Sequence, residues 1–155
     1  MTKELSINGI KKEIIDKLMN NMDILKYLNT ERFINEGYKI SDLYDNIIFD
    51  YDISNEISGD YIAVEVAEYE PNPSYPNYKK YSVIIKFGLG YSGKKNLDKI
   101  AEAIKNIISE LYPDREYYSN VPFYVKRRNY DFGHVEHQYL YDDLNRMISF
   151  KIEGK

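Results

Sequence analysis

Tyr61-Ile-Ala-Val-Glu-Val-Ala-Glu-Tyr69, followed after a break by Tyr81-Ser-Val-Ile-Ile-Lys-Phe87, is the stretch that decides the fold. In the first run Ile62, Val64 and Val66 alternate with Tyr61, Glu65 and Tyr69, with Ala63 and Ala67 between them. A period of two over this length predicts a strand with one buried face. The second run has Val83, Ile84 and Ile85 at its apolar centre. Glu70-Pro-Asn-Pro-Ser-Tyr-Pro-Asn77 separates the two. Its three prolines lock φ and remove N–H donors, so the ladder cannot run through it. The pair therefore predicts an antiparallel hairpin with a projecting polar loop.

Working outward, the pattern changes period. Leu97, Ile100, Ile104, Ile107, Ile108 and Leu111 recur at steps of three and four, which predicts a long helix over 97–111 that ends at Pro113. Ile7, Ile10, Ile14, Leu18, Met22 and Leu25 do the same at the N-terminus. Asn20-Asn21 interrupts that helix, and Asp23 is placed to cap a second short turn through Leu28. Val121 to Arg128 and Arg146 to Ile152 alternate again and predict two further strands. Residues 29–59 hold no sustained period and read as a long connecting region, with Ser41 placed to cap a short turn through Tyr44. The expected architecture is one α+β domain over 1–155, divided into a helical segment (1–28), the connection (29–59) and a sheet with its main helix (60–155). The sheet is expected to have four mostly antiparallel strands, with the N-terminal helix and helix 97–111 packed on one face.

Composition narrows the function. The 155 residues carry 21 Lys plus Arg and 25 Asp plus Glu, a net charge of −4, which disfavours nonspecific nucleic-acid binding. The absence of cysteine removes disulfides, thiol nucleophiles and Cys-ligated metals. No signal peptide is evident and no apolar run approaches the roughly 20 residues of a membrane span, so an intracellular, membrane-free protein is expected. Tyrosine is abundant at 17. A/T-rich codons account for much of that abundance, and exposed tyrosines also suit protein contacts because they offer large amphipathic area at low entropic cost.

Motifs that resemble chemistry fail on their details. Gly88-Leu-Gly90-Tyr-Ser-Gly93 spells G-x-G-x-x-G between a strand and a helix and, with Lys94, nearly a phosphate-binding loop. Lys95 stands where a magnesium-binding hydroxyl is needed, and no repeated βαβ unit surrounds the motif, so it reads as a glycine turn that uses positive φ. His134-Val-Glu136-His137 matches no zinc-protease spacing, and a surface ion is the most it suggests. Pro113-Asp114 with Glu153-Gly-Lys155 would make a nuclease pair only by using the chain end. Lys126-Arg127-Arg128, between Tyr124 and Tyr130, reads as a solvated strand end or a salt-bridging contact rather than a base-stacking site. No catalytic residue, cofactor site or metal site is expected.

The order of elements resembles that of the small tail-terminator and neck (head-to-tail joining) proteins of tailed bacteriophages and phage-like contractile particles. The resemblance runs from the N-terminal amphipathic helix and the region around Asn46-Ile-Ile-Phe49 through the paired strands and helix 97–111 to Met147-Ile-Ser-Phe-Lys-Ile152. It implies a structural, non-enzymatic virion protein, assembled in the host cytoplasm and resident in the neck of the mature particle. About six copies would form a ring, each interface heterologous and closing by rotation. The ring would cap the tail tube and meet a head-closure or adaptor protein, with DNA passing through its lumen without sequence-specific binding. Tyr75 and Tyr78 of the proline-rich loop would then serve contacts between copies, and Lys126, Arg127 and Arg128 would face the lumen. The competing expectation is an acidic immunity or antitoxin-type protein, using Asp50, Asp52, Asp142 and Asp143 to block a basic toxin.

Overall fold

The computed structural model describes residues 5–28, 37, 39, 43–44, 47–53, 60–69, 79–89, 95–129 and 138–154, and of residues 69, 124–129 and 138–144 the backbone only. Helix α1 (Ile7–Met19) begins where the Ser6 hydroxyl accepts a hydrogen bond from the Gly9 amide at 3.0 Å. It ends at Asn20, whose side-chain amide donates to the Asp16 carbonyl at 2.8 Å. Helix α2 (Met22–Tyr27) restarts at once. Its N-cap is Asn21, which accepts from the Ile24 amide, and not the expected Asp23, which lies in the first turn and complements the dipole there. Helix α3 spans Leu97–Leu111, as its period predicts.

The strands are β1 (Ile48–Phe49), β2 (Tyr61–Tyr69), β3 (Lys79–Gly88), β4 (Glu116–Asn129) and β5 (Gln138–Gly154). They form one sheet in the order β1-β2-β3-β5-β4. The fold is α+β, but with five strands instead of four, and the sheet is mixed. β1 runs parallel to β2, pairing Ile48 with Ile62 and Phe49 with Ala63, whereas the other three pairings are antiparallel. A two-residue strand is too short to carry a period, which is why it lies hidden in the connecting region.

Among the described residues, α1, α2 and α3 cover one face. Ile10, Ile14 and Leu18 of α1, Ile24 of α2, and Ile100, Ile104 and Ile108 of α3 join Ile62, Val64, Tyr81, Val83, Ile85, Phe87, Ile148, Phe150 and Ile152 in a single buried cluster. The two tyrosine hydroxyls within it, those of Tyr81 and Tyr112, are hydrogen-bonded. Tyr81 donates to the Leu5 carbonyl at 2.9 Å, and Tyr112 donates to Glu13 at 2.8 Å, tying the end of α3 to α1. Among the described residues no helix is long and apolar enough to cross a membrane.

β2 departs from its expected pattern. Tyr61 and Ala63 are as fully buried as Ile62 and Val64, because Phe49 and Ile53 lie over them in a second, smaller cluster on the opposite face. The start of β2 is thus buried on both sides, and from Glu65 onward burial fades, with Glu65 and Val66 half-buried and Ala67 and Glu68 exposed.

Candidate interface

The second face of the sheet is assembled from the residues that alternate with the core set. Register places Tyr61, Gly88, Asn145 and Phe123 in one row across β2, β3, β5 and β4, and Ala63, Lys86, Met147 and Val121 in the next. In the first row Tyr61 donates to Asn145 Oδ1 at 2.6 Å, and both residues are buried. Gly88 lies directly beneath this bond. A Cβ there would collide with Asn145 Oδ1 and would lie 2.6 Å from Tyr61 Cε1. The first glycine of the G-x-G-x-x-G stretch is therefore a strand residue that lets two side chains pass close to the backbone. Its value here is the missing Cβ, not the positive φ the sequence suggested. Gly90 and Gly93 lie outside the described residues.

In the second row Lys86 Nζ reaches Asp52 Oδ2 at 2.6 Å and Glu65 Oε2 at 3.7 Å, and it sits 5.7 Å from the Phe123 ring centroid. Its side chain is only 19% exposed, so this ammonium needs its carboxylate partners. The bond fastens the 49–53 segment onto the sheet. Asp50 accepts from the Tyr44 hydroxyl at 2.7 Å beside a cavity of about 400 Å³ against α1. Two of the carboxylates available to a toxin-blocking surface are thus engaged within the chain.

β4 and β5 run well past their expected limits. β5 pairs with β3 only from Asn145 onward. From Val125–Asp142 to Asn129–Gln138, among the described residues β4 and β5 pair only with each other. These five registered pairs extend about 17 Å beyond the main sheet at roughly 3.4 Å per residue. A register shift between Phe123 and Val125 marks the root of this ribbon. Lys126, Arg127 and Arg128 stand on it, opposite Tyr141, Leu140 and Tyr139. Tyr75, Tyr78, His134 and His137 lie outside the described residues. Among the described residues no group of three or more acidic or histidine side chains is placed to hold a metal.

The other end of β4 holds a second irregularity. Glu116 pairs with Lys151 and Ser119 with Ser149, so Tyr117 and Tyr118 together oppose Phe150. This β-bulge puts Tyr117 at φ +55°, in the left-handed region that non-glycine residues enter at a cost. Lys151 Nζ lies 5.0 Å from its ring centroid, and Lys80 pairs with Glu153 at 2.9 Å beside it. That hydrogen bond, with the charges of Glu153 and Glu116, holds the Lys80 ammonium above its ordinary pKa. The bulge turns Tyr118 inward, where burial pushes its phenol up. Among the described residues the Tyr118 hydroxyl and Arg115 Nε find no hydrogen-bond partner.

No alternating pattern announces Asn145, Lys86 or the bulge. Each depends on which strands become neighbours, and β5 inserting between β3 and β4 is what brings them together. No protein-family model matches the chain, and no curated protein matches its sequence.

Proposed function

We propose that this chain is a non-catalytic assembly protein of the tail-terminator or neck class, acting as a ring of about six copies that caps a tube and joins it to a head. The observation that carries this reading is the β4–β5 ribbon. A two-stranded ribbon that no third described strand joins has little stability of its own, and packing from a neighbouring molecule would supply it. The α+β layout, with the described helices packed on one face of the sheet, supports this reading. The internal bonding of Asp50 and Asp52 weighs against the toxin-blocking alternative.

Tyr75 and Tyr78 are the proposed contacts between copies, and Lys126, Arg127 and Arg128 the residues toward the lumen. Negative-stain electron microscopy of the concentrated protein, with and without Mg²⁺, tests the ring directly. Closed rings with an open centre are the expected result. A protein that stays monomeric but is retained by a basic toxin from its host would overturn the reading. Replacing Tyr75 and Tyr78 together with Ala is expected to leave a folded protein that forms few rings, and normal ring yield would remove the loop from the interface.

A further inference from the structure

The geometry points to the β-bulge at Tyr117 as a contact site for a second copy of this chain, with Tyr117 as its aromatic anchor. The inference rests on the ring reading and deepens it by locating one contact.

Three observations converge. The first is a mismatch between residue and backbone. Tyr117 holds a φ that glycine or asparagine adopts more cheaply, yet its side chain is 74% exposed and recovers little by packing within the monomer. An aromatic ring kept at such a position gains its contacts when another surface covers it. Lys151 beneath the ring already holds it in place, so little freedom is lost when that happens.

The second is location. β4 is the last strand of the described sheet, and no described strand pairs with its outer edge, where backbone donors and acceptors can meet another chain. Pro122 and the bulge itself interrupt that edge, so the contact is a local anchor and not an added strand. Val121, also exposed, stands four residues further along the same strand.

The third is charge. The bulge borders a cavity of about 250 Å³ lined by Lys80, Glu116, Tyr117, Lys151, Ile152 and Glu153. Two cations and two carboxylates cancel, so the lining does not select a polyanion or a cation. It suits an uncharged amphipathic side chain that meets Tyr117 ring to ring and hydrogen-bonds at the rim. Tyrosine has that chemistry, and each copy of the chain carries 17 of them.

The test is sedimentation velocity over a concentration series, with and without Mg²⁺, on the full-length wild type and on Tyr117→Gly and Tyr117→Asn. Urea midpoints are measured in parallel. Both variants relieve the backbone mismatch. They are expected to unfold at or above the wild-type midpoint while self-associating at least about tenfold more weakly. Unchanged association in both variants, with wild-type rings intact, overturns the site and leaves the ring reading standing. A sharp drop in both midpoints shows that Tyr117 serves the monomer's fold and overturns the site as well. A wild type that is monomeric under every condition overturns the site as a contact between free copies, and its retention by a basic toxin would overturn the ring as well.

Discussion

The two faces of the sheet are built from alternate residues of the same strands, yet they are held by different physics. The helix-covered face is a continuous apolar cluster in which Val83, Ile85, Phe87, Ile148 and Phe150 meet three helices. The opposite face is held at a few points: Tyr61 on Asn145, Lys86 on Asp52, and Phe49 with Ile53 over Tyr61 and Ala63. Burial is nondirectional and proportional to area, so the first face supplies most of the stability. Hydrogen bonds and ion pairs contribute less each but demand one geometry, so the second face dictates how the segment at 49–53 and the root of the β4–β5 ribbon are placed.

The contrast can be broken most forcefully on the helix face. Phe150→Ala removes a fully buried ring that meets Tyr112 at 5.9 Å between centroids, and should cost about 4 kcal/mol, read from urea unfolding. Alkaline pH strikes the same side next. Burial pushes the phenols of Tyr81, Tyr112 and Tyr118 up, with the Glu13 carboxylate adding to the effect at Tyr112. Their folded pKa values exceed the unfolded value of about 10, so their contribution is complete below that pH and lost as the pH climbs past it. Unfolding midpoints should be level up to about pH 10 and fall beyond it, with phenolate absorbance appearing in step with unfolding. Absorbance that rises fully while the fold persists would contradict this.

On the second face, Gly88→Ala forces a methyl group between Asn145 and Tyr61 and should cost about 2 kcal/mol, with the damage concentrated where β3, β5 and β4 meet. Hydrogen exchange at β5 amides near Asn145 would locate it. Tyr61→Phe deletes the hydroxyl that donates to Asn145 and should cost about 1 kcal/mol. If Tyr61→Phe matched Phe150→Ala in cost, the division of labour between the faces would be wrong.

What was legible in the sequence follows the same division. α1, α3 and the β2–β3 hairpin were readable because burial imprints a period, and each is long enough to show one. The connection at 29–59 concealed β1 because two residues carry no period. Of β4 the run Val121 to Arg128 was legible and its start, Glu116 to Asn120, was not, and the far end of β5 escaped because Gln138 to Leu144 mixes polar, aromatic, acidic and apolar residues with no one-sided pattern. The Tyr61–Asn145 bond spans 84 residues and the Lys86–Asp52 bond 34, so neither leaves a local trace. Gly88 was visible as a glycine, but its reason lay in two side chains from other strands.

The 17-residue β5 is one continuous strand, with an irregularity at Asp143 and Leu144 where both oppose Tyr124, and it belongs to the ribbon at one end and to the middle of the sheet at the other. Tension applied near Gln138 along the strand axis would not peel β5 from β3 one bond at a time. It would load their ten registered pairs, Gly88–Asn145 through Lys79–Gly154, in shear and all at once. The ribbon is therefore anchored like a tang set in a handle: a load borne at its tip passes through β5 into the β3–β5 ladder at the centre of the sheet.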